Sequence, residues 1–121
     1  EALTIAKDLA NRITISCSLD GFAAIAVESG DLDRAARLAG AADNLRDLIG
    51  YKIEPAELRF REMYLSKLRE QMPKDSFDTF YAAGRGSSLE DAIAEALENE
   101  LAGKDQAIAH VLIQPPQRRF R

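Results

Sequence analysis

Apolar residues recur along this chain at steps of three and four, a spacing that fits packed helices and little else. After Gly30, the residues Ala35, Leu38, Ala42, Leu45 and Ile49 fall on one helical face. Asp31 stands where a short carboxylate caps a first turn, and Gly50 where a chain leaves a helix, so a helix is expected over 32–49. Upstream, Ile15, Leu19, Phe22 and Ala26 repeat the spacing, with Ala23 and Val27 widening the stripe, which predicts a helix over 12–29 ended by Gly30. Ile5, Ala6 and Leu9 read as the end of an earlier helix, with a break at Ala10 and Asn11.

Beyond Gly50, residues 51–54 form a connection and Pro55 suits a first helical position, where its missing amide hydrogen costs nothing. Leu58, Leu65, Leu68 and Met72 give the next buried stripe, Arg59, Glu62, Lys67 and Glu70 the wet side, and Pro73 the stop. A shorter helix over 75–83 buries Phe77, Phe80 and Tyr81 before Gly84 and Gly86 break the chain. Ser87 with Glu90 has the pattern of a capping box, opening a helix that turns Leu89, Ile93, Ala96 and Leu97 inward. No sustained two-residue alternation competes, so the expected class is all-α: antiparallel hairpins in an array of about five to six helices. The expected division is a helical domain over 1–102 and a tail over 103–121, with a turn or two near 108–113 before Pro115 and Pro116 force an extended end.

Composition narrows the partners. Hydrophobic residues make up 46% and charged residues 30%, as in an ordinary folded protein. Sixteen Lys and Arg against 20 Asp and Glu leave a net charge of −4, and the one local basic excess, Arg118, Arg119 and Arg121, reads as a solvated terminus; nucleic acid is not favoured. No apolar run approaches the roughly 18 to 20 residues of a membrane span, and the N-terminus lacks the layout of a signal peptide. With the single Cys17, this leads to the expectation of a cytoplasmic setting, and a start at Glu1 to that of a fragment.

Residues with chemical potential are scattered. Gly84-Arg85-Gly86-Ser87-Ser88 precedes a helix but lacks the GxxxxGK[ST] order of a phosphate loop, and reads as a turn whose serine caps the next helix, with Arg85 in an ion pair or at a helix end. Cys17 lies in an apolar helix and reads as a packing residue; His110 is the lone histidine; Glu90, Asp91, Glu95, Glu98 and Glu100 read as a solvated face. No enzyme activity, cofactor or metal is expected.

The hairpin around Gly30 resembles the tetratricopeptide pattern. Leu19, Phe22, Ala23 and Ala26 fall on its first-helix signature and Ala35, Ala39 and Ala42 on its second, with alanine at 23, 35 and 42 where two helices cross closely. A longer likeness joins Gly30-Asp31-Leu32-Asp33-Arg34-Ala35-Ala36-Arg37-Leu38-Ala39-Gly40-Ala41-Ala42, then Glu54-Pro55-Ala56-Glu57, Phe77 and Tyr81, Gly84-Arg85, and Ser88-Leu89-Glu90-Asp91-Ala92. In that order these blocks resemble the C-terminal helical region of bacterial regulators, LuxR-type and related, that join a predicted nucleotide-hydrolysing module to a helical array. Arg61 departs from the likeness, standing where an aromatic is common. The resemblance implies a right-handed tetratricopeptide-like array serving protein–protein interaction or regulation inside a larger transcription regulator or signalling ATPase. The alternative is a helical domain that senses a small effector.

Tyr51, Phe60, Met63 and Tyr64 are the large apolar residues that the core stripes do not absorb, and they are the candidate contacts for a protein partner or for other domains of the parent chain. Ile5 and Leu9, on a helix whose hairpin mate is absent, are the candidates for a homodimer contact.

Overall fold

A computed structural model describes residues 2–97, and within them the chain is all-helical with no strand. Helix α1 runs Ala2–Glu28, α2 Leu32–Ile49, α3 Pro55–Gln71 and α4 Lys74–Arg85, and α5 occupies 89–97 up to the limit of the described residues. The segment after residue 97, with its expected tail helix, lies outside that range, as do His110 and the basic tail. No described helix is long and apolar enough to cross a membrane.

The ends of α1 and α2 follow from backbone chemistry. Gly30 and Gly50 take positive φ values of 83° and 68°, which glycine adopts without a Cβ penalty. The turn this creates satisfies carbonyls that the helix end would orphan: the Asp31 amide donates to the Ala26 carbonyl at 2.8 Å, and the Tyr51 amide to that of Arg46 at 3.0 Å. Asp31 itself makes no side-chain cap; its carboxylate meets Arg34 Nε at 3.1 Å instead. The expected break at Ala10 and Asn11 is absent, and α1 is one helix of 27 residues. Neither residue imposes a stop: alanine favours helix, and asparagine on the exposed side costs only a fraction of a kcal/mol, roughly 0.7 at most.

The core is built from small residues. Ala23, Ala26, Ala35, Ala36, Leu38, Ala39 and Ala42 are fully buried where α1 and α2 pack, so the small side chains at 23, 35 and 42 do lie in the crossing. On its other side α2 packs as closely on α4, and glycine makes that approach possible. A Cβ on Gly84 would meet the carbonyl oxygen of Arg37 and lie 2.8 Å from its Cα; one on Gly40 would meet the carbonyl oxygen of Tyr81 and lie 3.0 Å from the Arg85 amide nitrogen. Gly84 therefore does not break α4 but lies inside it as the contact point with α2. This close approach puts Tyr81 beside Asp43 and Arg85 beside Asp47, 2.8 Å apart in the second pair.

Helix α3 stands further off, reaching the core with Arg61, Tyr64, Leu65 and Leu68. Leu58, expected inside, is 43% exposed, because the first turn of α3 meets α1 through Glu57 and Cys17 rather than through Leu58. Helix α5 is capped one residue later than expected, with Ser88 Oγ accepting the Asp91 amide at 3.0 Å. It buries Ala92 and Ala96, leaves Leu97 half exposed, and is pinned to α2 by Arg37 and Glu95 at 2.7 Å.

Candidate functional site

Asp20 sits on the apolar side of α1, one step after Leu19, and is 3% exposed. A buried carboxylate needs charge and hydrogen-bond partners to remain ionised. It finds them on two other helices: Arg46 of α2 and Arg61 of α3 both donate to it, Arg61 at 2.5 Å, and the Tyr64 hydroxyl donates as well. Arg61 also donates to Asp43 at 2.6 Å, and Asp43 accepts from the Tyr81 hydroxyl of α4. Two carboxylates and two guanidiniums thus balance in charge and tie four helices together. Burial works against the Arg61 charge, but Tyr64, Asp20 and Asp43 outweigh it and raise its pKa further. Burial, then the Asp20 charge, pushes the Tyr64 phenol far above its ordinary range, so it stays a donor.

Tyr64 therefore belongs to the interior, 4% exposed, rather than to a partner surface. The sequence marks it only as an aromatic at an unassigned position. Asp20 gave no signal in the apolar pattern beyond a gap. Arg61 is the central donor of the cluster.

Next to the cluster, at the seam of α1, α2 and α3, lies a cavity of about 260 Å³ lined by Cys17, Asp20, Arg46, Ala56, Glu57 and Phe60. Glu57, in the first turn of α3, organises its rim. One carboxylate oxygen accepts from Cys17 Sγ at 2.9 Å; the other accepts from the Tyr51 hydroxyl at 2.9 Å and the Glu54 amide at 3.1 Å. The Cys17 hydrogen bond foremost, then the Glu54 amide, hold the Glu57 carboxyl below its ordinary value, and burial opposes them. Burial, then the bond to Glu57, pushes the Cys17 thiol up, so it is a protonated donor and a poor nucleophile. Tyr51 is pushed up to about 12, chiefly by its bond to Glu57. Tyr51 is thus partly covered and tied to the rim, and Cys17 is half-buried beside a carboxylate rather than enclosed in apolar surroundings.

Phe60 and Met63 lie on the outward side of α3, 45% and 65% exposed. They line a shallow groove of about 210 Å³ with Ala24, Glu28, Tyr64 and Lys67, and Lys67 bridges to Glu28 at 3.0 Å across it. Met63 also joins Leu58, Arg59 and Glu62 in a wider depression. Ile5 and Leu9 are 67% and 42% exposed on the first turns of α1, where every side chain from residue 4 to residue 11 is exposed. In the turn after α4, Ser87 Oγ donates to the Gly84 carbonyl at 2.8 Å and Arg85 pairs with Asp47, so these polar groups are engaged within the chain. Among the described residues, no group of three or more His, Cys, Asp or Glu side chains is arranged to hold a metal ion. Comparison of the chain with protein-family models, with curated proteins and with solved structures gave no match.

Proposed function

We propose that the chain is a non-catalytic, tetratricopeptide-like interaction module of a larger cytoplasmic bacterial transcription regulator or signalling ATPase, and that it meets a protein partner through the outward face of α3. The supporting observation is the exposed pair Phe60 and Met63, 45% and 65% exposed, on a helix anchored from beneath by Arg61 and Tyr64. Apolar surface rimmed by charge, here Glu28 and Lys67, is what partner sites present to water. A rigid helix carrying such residues loses little entropy when it docks. Ile5 and Leu9 extend the reading to a twofold contact between copies, in which the same patch is buried on each subunit.

The test is a photo-crosslinking side chain placed in the full-length parent protein at position 60 or 63, with position 79, exposed on α4, as control. A discrete protein adduct at 60 and 63 that is absent at 79 is the expected result. Equal yields at all three positions would refute the proposed face.

A further inference from the structure

The two halves of α3 are held to the body by different forces. In the second half Tyr64, Leu65 and Leu68 are buried, and Met72 is buried just beyond the helix end. In the first half, residues 55–63, Arg61 is the one buried side chain and Glu57 the one partly buried; the rest are exposed. No apolar side chain of that half is buried, so the hydrophobic effect does little to keep it in place. Phe60, its one aromatic residue, lines two hollows against α1, of about 260 Å³ and 210 Å³, and fills neither.

What holds the first half is polar. Arg61 donates to Asp20 at 2.5 Å, to Asp43 at 2.6 Å and to the Ala39 carbonyl at 3.4 Å, while Glu57 accepts from Cys17 and Tyr51. A buried ion pair contributes little net stability, because the desolvation of its charges offsets much of their attraction. Release of Arg61 also strands no carboxylate: Asp20 keeps Arg46 and the Tyr64 hydroxyl, and Asp43 keeps the Tyr81 hydroxyl. The chain enters this half through the non-helical residues 51–54, which leaves its N-terminal end able to move. Once released, so short a segment does not persist as a helix in water, where roughly 12–15 residues are needed.

We propose that residues 55–63 form a flap that opens as one unit about Tyr64 and Leu65, with Arg61 as its latch, while α1, α2, α4 and the second half of α3 stay packed. Opening unwinds the flap and brings Asp20, Asp43 and Cys17, which its polar side chains engage when closed, into contact with water. The flap carries Phe60 and Met63, so a partner on that face acts on its equilibrium. The flap itself rests on Arg61 and on the lack of apolar burial around it, and stands whether or not that face binds a partner.

The experiment is native-state hydrogen exchange of the whole chain, read amide by amide by NMR at rising urea below the unfolding transition. The amides of residues 59–63 are expected to share one protection factor, roughly tenfold or more below that of residues 38–42 in α2, and to respond little to urea, because a flap exposes far less surface than global unfolding. Two variants separate latch from core. Arg61→Ala should lower protection at 59–63 roughly tenfold or more. Leu68→Ala, at a fully buried position, should lower protection at 38–42 roughly 30-fold or more and leave 59–63 unchanged, since Leu68 is packed whether the flap is open or closed. The exchange pattern of the parent decides the matter even where a variant fails to fold. Protection that climbs steadily from 59 to 63, as in end fraying, protection and urea response at 59–63 equal to those at 38–42, no change at 59–63 in Arg61→Ala, or an equal loss at both segments in Leu68→Ala would each overturn the proposal.

Discussion

Replacing Gly84 with alanine reverses the sign that helix propensity alone gives. Inside a helix, glycine is less favourable than alanine by about 0.5–1 kcal/mol, so the substitution is stabilising wherever the new methyl finds room. At Gly84 the Cβ would strike backbone rather than a movable side chain, with the Arg37 carbonyl carbon and Cα at 2.7 Å and 2.8 Å. Backbone cannot rotate away, so α2 and α4 must separate, and overpacking of this kind costs about 1–3 kcal/mol. The net expectation is a loss of about 1–2 kcal/mol. Gly21 is the matched control: it lies within α1 and nothing stands within 4 Å of its added Cβ. Gly21→Ala should gain about 0.5 kcal/mol or more. At roughly 4 °C or more per kcal/mol for a domain of this size, thermal melts of the two variants should differ by about 10 °C, with the parent between them. A Gly84→Ala melting temperature at or above the parent's would refute the close α2–α4 approach, and with it the placement of Tyr81 on Asp43.

The charge cluster predicts an ordering. Asp20→Ala removes the one hydrogen-bond acceptor that Arg46 has among the described residues and should cost about 3–5 kcal/mol in urea unfolding, while Asp43→Ala, at a partly exposed site, costs clearly less; equal midpoints would contradict the cluster. The rim predicts a pH effect. Because the folded Glu57 pKa is lowered from 4.5, its contribution is full above that value and is lost as pH falls through the folded pKa. The parent should therefore be more stable than Glu57→Gln at neutral pH, and the two should converge in acid, whereas a gap that persists below the folded pKa would show that the carboxylate charge is not what matters. Sedimentation at increasing concentration should detect a dimer that Ile5→Lys with Leu9→Lys shifts toward monomer; unchanged association would move the contact elsewhere.

The helix ends were the most legible part of the fold, because Gly30, Gly50, Pro55 and Pro73 carry their backbone consequences with them. The alanine crossing was legible for a related reason: a run of small residues at helical spacing specifies close approach. Gly40 and Gly84 were not, since a helical glycine signals contact only once its partner backbone is known, and from sequence alone Gly84 looks like a breaker. The same limit hid the cluster. Asp20, Arg46 and Arg61 lie on three helices, and periodicity within one helix says nothing of a charge supplied by another. Of the candidate contacts, Phe60 and Met63 lie on the surface and Tyr64 lies inside, a difference that turns on which way α3 faces.

Met63→Lys in the full-length protein tests the proposed partner face most directly, read both as a melting temperature and as affinity for the protein captured by the crosslink at position 60. Met63 is 65% exposed, so stability should stay within about 0.5 kcal/mol of the parent. Affinity should fall roughly 30-fold, the loss of a hot-spot contact of about 2 kcal/mol. Unchanged affinity at unchanged stability would contradict the assignment of this face.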